Sequence, residues 1–251
     1  MGEERRYRLD GQLLTLEEIK KKVRDRYTEI ESPLLQSIQG RKILDLGCKI
    51  GTITHTIGKA NPQSQVIGVD YFSSHIDIAK ALYLDENNIR FMNMNAYELK
   101  FEDGFFDCIC MLEIVEHLNH PVRALREVNR ALCQNGSLII STNNVYHSRY
   151  IIKYLLSLLI PNYHPRRMDH GGCEEWFPHI YCWDLGTLYT LMTQYGFEYE
   201  RHFFIGNFLF VSTHRMVKII DRMLGMLLPI FKSIMVLKLR KIREVEEEKT
   251  F

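Results

Sequence analysis

The sequence predicts an α/β fold, a doubly wound and mostly parallel sheet. Three observations predict it. Short apolar, strand-like runs alternate with helix-like segments between residues 42 and 141. The first of these runs reaches an acid, Asp45, and passes straight into a turn holding Gly47 and Gly51. The run at 106–112 is almost unbroken in apolar residues, as in a strand covered on both faces.

Element by element, residues 13–38 read as helical, with Leu14, Leu16, Ile19, Val23, Tyr27, Ile30 and Leu34 at three- and four-residue steps. A strand at 42–46 follows. A helix over 52–59 is broken by Asn61-Pro62. A second strand at 66–70 ends in Asp70, and Ser73 or Ser74 is suited to cap the next helix, to about Leu84. Strands are expected at 89–94 and 106–112, a helix at 121–133, a turn at Asn135-Gly136 and a fifth strand at 137–141. The rhythm then changes. Residues 143–183 hold a very apolar helix (150–160) and a loop rich in His, Arg, Pro and Gly, an interruption typical of a lid or substrate element. A helix at 185–195, Gly196 as its C′ residue and a strand at 197–205 resume the pattern. The last strand is placed at 234–239, after an amphipathic element, with 208–212 as its rival.

At 251 residues the chain suits one domain: an N-terminal helical segment (1–40), a core (41–142), an inserted lid (143–183) and a C-terminal part (184–251). The 32 basic and 31 acidic side chains leave no net field to attract nucleic acid, so no DNA partner is expected. The six cysteines form no CxxC pair, and Cys108 and Cys110 read as reduced core residues. The start, MGEERRYRLDGQ, has no apolar h-region, which makes the cytoplasm the default compartment. Lys218, Asp221, Arg222, Lys232 and Lys238 argue against a membrane span in 217–239. The apolar segments 150–160 and 217–228 are expected to pack on each other as core, or else to touch a membrane surface.

Four segments carry chemistry: Asp45-Leu46-Gly47-Cys48-Lys49-Ile50-Gly51, Asp70-Tyr71, Asn95-Ala96, and Leu112-Glu113-Ile114-Val115-Glu116-His117-Leu118. Taken alone, the first is a βα turn of any α/β protein or a cofactor cradle. Together, and in this order, they resemble the class I S-adenosylmethionine-dependent methyltransferases, closely over 41–142 and loosely over 179–205. The resemblance implies a seven-stranded Rossmann-like sheet with a lid after strand five, and S-adenosylmethionine as cofactor. It places Gly47, Cys48, Lys49 and Gly51 under the methionyl part, with Asp45 holding the ammonium directly or through water. Asp70 would accept the ribose hydroxyls, Tyr71 and Phe72 would face adenine, and Asn95 would pair with its edge beside Ala96. Leu112 and Glu113 would pass the sulfonium.

The spacing E-x-x-E-H puts Glu113, Glu116 and His117 on one side of the chain if the segment is helical. His117, with Glu116, could then serve as general base on a hydroxyl. Alternatively Glu113, Glu116 and His117, with His179 as a fourth ligand, could hold Mg²⁺, Mn²⁺ or Zn²⁺, as in some quinone-biosynthesis and RNA-terminus methyltransferases. A purely structural His117 is the third reading. Lys49 stands where the family has its middle glycine. A positive φ there strains a lysine by about 1 kcal/mol or more, and its charge stands beside a cationic cofactor unless the stem runs outward to solvent.

On the acceptor side, Arg166 and Arg167 among histidines could grip phosphate or carboxylate, or form a solvated basic loop. Trp176, Phe177, Tyr181 and Trp183 could stack on rings or sugars. Residues 179–204 are loosely similar to methyltransferases of glycan and lipid-linked precursor synthesis. The expected activity is therefore O-methylation of a small molecule, glycan or lipid-linked precursor, with peripheral membrane contact as an option. A metal-dependent RNA 2′-O-methyltransferase and a non-catalytic binding protein are the alternatives.

Overall fold

Apolar runs that end in polar turns become the strands of one sheet, and the segments between them cover its faces. The computed structural model describes residues 6–9, 11–26, 32–159, 180–208 and 215–245. In chain order the elements are β1 (Arg6–Leu9), β2 (Gln12–Thr15), α1 (Leu16–Arg26), α2 (Ser32–Ser37), β3 (Lys42–Leu46), α3 (Thr52–Ala60), β4 (Gln65–Asp70), α4 (Ser73–Leu82) and β5 (Ile89–Asn93). They continue with β6 (Phe106–Leu112), α5 (Pro121–Ala131), β7 (Leu132–Asn143), α6 (Ser148–Leu159), α7 (Leu185–Gln194), β8 (Phe197–Ile205), α8 (Arg215–Leu227) and β9 (Ile234–Lys241).

The main sheet has seven strands in the order β5-β4-β3-β6-β7-β9-β8. Strands β5 to β7 pair in parallel, and β9 runs antiparallel to both of its neighbours. From β3 the chain winds outward through β4 and β5, then crosses back to β6 on the other side of β3. The order reverses there, so the carboxyl ends of β3 and β6 splay apart into a crevice where ligands bind in such sheets.

Side chains alternate between the two faces. Leu44, Leu46, Ile109, Met111, Leu138 and Ile140 meet the α5 face Ala124, Leu125 and Val128 in one core cluster. Ile43, Val66, Cys108, Cys110 and Ile139 join Ile57, Ile76 and Ala79 of α3 and α4 in the other. The two cysteines are buried free thiols, as their apolar setting in the sequence implied. Phe106 and Phe197 are fully buried, each stabilising the fold by roughly 2–3 kcal/mol.

Several expectations need correction. Residues 13–38 are not one helix. β1 and β2 form a two-stranded hairpin across Gly11 (φ 75°), and Leu14 pairs with Tyr7 inside it. The helix α1 begins only at a capping box, where Glu18 N–H donates to Thr15 Oγ1 (3.3 Å) and Thr15 N–H donates to Glu18 Oε2 (2.8 Å). Tyr27 and Ile30 lie outside the described residues. Neither Ser73 nor Ser74 caps α4, because the cap position is Phe72, whose N–H donates to Asp70 Oδ1 (3.0 Å). Asn135-Gly136 is no free turn either. It lies within the 12-residue β7, with Asn135 at φ 63° and a register shift between Phe106 and Cys108.

At the C-terminal side, Gly196 adopts φ 82°, and a Cβ there would sit 2.4 Å from Arg243 O. The closing strand is Ile234–Lys241. Its rival loses: Phe208 is in no strand, and 209–212 lie outside the described residues. The apolar segments α6 and α8 do not bury their bulky side chains as core; Leu158, Leu159, Met226 and Leu227 are exposed. Among the described residues, no helix is long and apolar enough to cross a membrane.

Candidate active site

The turn after β3 is stitched to the end of β4. Gly47 N–H and Cys48 N–H both donate to Val69 O (2.7 and 2.9 Å), and Gly51 N–H donates to Cys48 O (2.9 Å). Gly47 has φ 85°, and a Cβ there would lie 2.6 Å from Ile114 Cδ1; at Gly51 (φ 82°) it would lie 2.5 Å from the Phe91 ring. Lys49 does adopt a left-handed conformation, φ 50°. Its N–H donates to Asp70 Oδ2 (2.8 Å), a charge-assisted bond that offsets the strain. The middle position of this turn thus needs a positive φ and tolerates a side chain.

Asp70 stands at the carboxyl end of β4. Besides Lys49 N–H it accepts Phe72 N–H, and His75 Nδ1 lies 3.2 Å from its Oδ1. The His75 ring is buried in the first turn of α4, and its Nε2 has no hydrogen-bond partner among the described residues. Asn93 Nδ2 donates to the carbonyls of Asp70 (2.9 Å) and Tyr71 (2.7 Å), fixing the chain on which Tyr71 and Phe72 sit. After β5, Asn95 Oδ1 accepts Tyr97 N–H (3.0 Å) in a tight turn that leads into Ala96.

These groups wall one cleft of about 440 Å³ at the switch point. Of the residues singled out in sequence, Gly47, Lys49, Asp70, Tyr71, Asn95, Ala96, Glu113 and His117 line it, as does Phe72. Asp45, Cys48, Gly51, Leu112 and Glu116 do not. Asp45 lies beneath the glycine turn, 2 % exposed, and accepts Thr54 Oγ1–H (2.6 Å). Burial pushes its carboxyl up to about 6, against the pull of Thr54. It ties the turn to α3 rather than presenting oxygen to the cleft wall. Cys48, 6 % exposed, is a core residue whose thiol burial pushes far up, and Leu112 is likewise buried, at the end of β6.

Glu113 to Asn119 form turns, not a helix, so the i, i+3, i+4 alignment of the two glutamates and His117 does not arise. Glu113, at φ 54°, turns its carboxyl back toward β7. Ser141 Oγ donates to Glu113 Oε1 (2.9 Å), and Glu113 N–H donates to Ser141 O (3.0 Å). Burial, with the neighbouring Glu116 charge second, raises the Glu113 carboxyl to about 8. Glu116 is 1 % exposed; Asn143 Nδ2 donates to its Oε1 (3.4 Å), and its backbone carbonyl accepts Ile180 N–H (2.8 Å). Burial raises its carboxyl as well, against hydrogen bonds from Thr142 and Asn143. His117 lines the cleft, as Glu113 does.

Among the described residues no three His, Cys, Asp or Glu side chains form a metal-holding group. Of the expected ligands, Glu113 and His117 line the cleft and Glu116 does not. His179 lies outside the described residues, as do Arg166, Arg167, Trp176 and Phe177. Trp183 is a core residue stacked on Tyr181 (5.2 Å between ring centres). Sequence reading missed His75, and with it Met94, Tyr97, Ile114 and Asn119 on the wall. Once α4 is placed to start at 73, a histidine on its first turn is the one signal for the Asp70 partner.

Gly-rich turn, terminal acid of the second core strand and a cleft at the sheet's switch point define a cofactor-binding α/β protein. The methyltransferase domain family matches residues 44–140. Demethylmenaquinone methyltransferase of Lactococcus lactis is 30% identical over 182 residues, 66% of this chain and 70% of that protein. The mitochondrial ubiquinone biosynthesis O-methyltransferase of Dictyostelium discoideum is 27% identical over 158 residues, 58% of this chain and 47% of its own length. That of Alkalilimnicola ehrlichii is 30% identical over 132 residues, 50% and 53% respectively. The chain thus spans about half the length of these two ubiquinone-pathway relatives. An S-adenosylmethionine-dependent methyltransferase from Mesorhizobium loti shares the fold, with a TM-score of 0.59 at 18% identity over 83% of this chain and 96% of that one. The chain belongs to the class I S-adenosylmethionine-dependent methyltransferases.

Proposed function

We propose that the protein transfers a methyl group from S-adenosylmethionine to an oxygen of a small-molecule acceptor. One observation carries the reading: the Asp70 carboxylate and the Gly47–Lys49 turn share a single cleft with Glu113 and His117. The residues fit the cofactor. A carboxylate held by Lys49 N–H and Phe72 N–H keeps lone pairs for two ribose hydroxyls. Tyr71 and Phe72 supply an apolar face, and the turn supplies backbone that approaches the methionyl part closely. Bound there, S-adenosylmethionine supplies an electrophilic methyl on a sulfonium. His117, on the cleft wall, would take the hydroxyl proton of the acceptor and so free its oxygen to receive that methyl group. The turns around Glu113 and His117 hold the acceptor in line, which is most of what this chemistry asks of a protein.

The ubiquinone-biosynthesis relatives favour a hydroxylated ring as acceptor. A lipid-linked acceptor is the second reading, favoured by the exposed apolar sides of α6 and α8; residues 143–183 would then form the acceptor-side lid. The metal-dependent RNA reading is the less favoured, because Glu113, Glu116 and His117 form no metal-holding group among the described residues. The non-catalytic reading rested on Lys49, whose left-handed backbone is held by Asp70 within an otherwise complete cleft.

Titration calorimetry is expected to give micromolar binding of S-adenosylmethionine, and Asp70→Ala to weaken it at least tenfold, about 1.4 kcal/mol. No heat at millimolar cofactor would overturn the reading. With catechol-type acceptors, His117→Gln is expected to lower kcat about 100-fold with little change in cofactor KM.

A further inference from the structure

Helices α6 and α8 are amphipathic; α8 packs at Gly225 against Phe208 and Lys232, yet both helices leave bulky apolar side chains uncovered. Leu155, Leu158 and Leu159 of α6 and Met223, Met226 and Leu227 of α8 are each at least half exposed (51–77 %). So much clustered apolar surface marks an interaction site. Among the described residues the helices run to 12 and 13 residues, fewer than the about 20 that spanning a bilayer needs.

The charge on these segments is one-sided. Residues 148–159 and 215–233 contain Arg149, Lys153, Arg215, Lys218, Arg222 and Lys232 against Asp221 alone, in a chain whose total charge is only +1. Asp221 is itself engaged, accepting Phe208 N–H (2.9 Å). The same Phe208 accepts Ser148 Oγ–H through its carbonyl, so the start of α6 and the middle of α8 are tied to one residue. Asn144 Nδ2 donates to Ile230 O (2.6 Å) and Lys232 O (2.7 Å), fixing the chain beyond α8 to the end of β7. One residue earlier, Asn143 bonds Glu116 behind the cleft wall. The chain beyond α8 is therefore fixed to the same end of the sheet as the Glu113–His117 segment.

We infer that α6 and α8 dock the protein on an anionic membrane surface, the apolar side chains entering the headgroup boundary and the exposed Lys218 and Arg222 meeting lipid phosphate. A second copy is the less suited occupant, because a twofold contact would set this basic face against itself. Docking requires no particular acceptor, so it stands or falls apart from the methyl transfer proposed above.

Flotation of the full chain with vesicles of phosphatidylcholine containing about 30% phosphatidylglycerol tests it. The protein is expected to float with these vesicles, about tenfold less with phosphatidylcholine alone, and less again in high salt. Lys218→Glu with Arg222→Glu, and separately Met223→Gln with Met226→Gln, are each expected to reduce flotation about tenfold or more. All four side chains are exposed, so the unfolding temperature of both variants is expected to hold. Failure of the wild-type chain to float, equal flotation on both vesicle types, or self-association in place of vesicle binding would overturn the inference.

Discussion

Charge at the cleft is decided by a few residues, and Glu113 is the one that titrates in the working range. Burial and the Glu116 charge raise its carboxyl to about 8, so at neutral pH it is protonated in the free protein. A sulfonium bound in the same cleft favours the ionised form and draws that value down. Cofactor binding must then release a proton, and affinity for S-adenosylmethionine rises with pH until about 8, where free Glu113 is already ionised. S-adenosylhomocysteine, which lacks the sulfonium, is expected to show little of this dependence. Calorimetry between pH 6 and 9 in two buffers of different ionisation heat measures both effects, and Glu113→Gln is expected to abolish them. Lys49 acts with the opposite sign. Removing its charge with Lys49→Gly is expected to tighten S-adenosylmethionine about two- to fivefold at low salt and to leave S-adenosylhomocysteine unchanged. Stability should move by less than about 1 kcal/mol, since relief at φ 50° is offset by the entropy of a freer unfolded chain.

Elements legible in sequence are those whose signal is local. β3, β4 and β6 are apolar runs closed by an acid or a glycine, and their bounds, like those of β8, fall within a residue or two of expectation. The N-terminal hairpin was not legible. Leu14, Leu16 and Ile19 happen to fall at helical spacing, while the turn at Gly11 and the Thr15–Glu18 capping box that divide them are weaker marks. The Glu113–His117 segment failed in another way, because a non-glycine residue at φ 54° opens a run of turns where a helix was expected, and Glu113 lines the cleft while Glu116 does not. The pairing of Asp70 with His75 depends on where α4 begins, which the two serines obscured. The glycine turn was read well, since its constraint is steric. Gly51→Ala would force a Cβ to within 2.5 Å of the Phe91 ring at a strained φ. It is expected to destabilise the protein by about 2–4 kcal/mol in urea denaturation and to weaken cofactor binding in step.

Across the molecule, the buried acids give stability an unusual pH dependence. Asp45 and Glu113 are raised to about 6 and about 8, and Glu116 is raised as well, each chiefly by burial. The native state therefore holds protons that the unfolded chain has released by about pH 4–5. Their contribution is complete below the unfolded values and is lost as pH rises through 6 and then 8. Glu18, Glu86, Glu127 and Asp184 are lowered, so their opposite contribution is already in place above about pH 5 and adds no slope beyond it. Between pH 5 and 9 the raised group governs, and the unfolding temperature of the free protein is expected to fall steadily across that window. Glu113→Gln keeps a neutral side chain beside Ser141 and is expected to flatten the upper half of the curve and to raise stability at pH 8.5 by about 1 kcal/mol or more. Asp45→Asn is expected to flatten the lower half, between about pH 4 and 6. Saturating S-adenosylmethionine should restore stability most at high pH, where the ionised Glu113 meets a cation instead of standing unpaired. A scan of unfolding temperature against pH, with and without cofactor, decides this. A curve that rises from pH 5 to 9 would refute the sign.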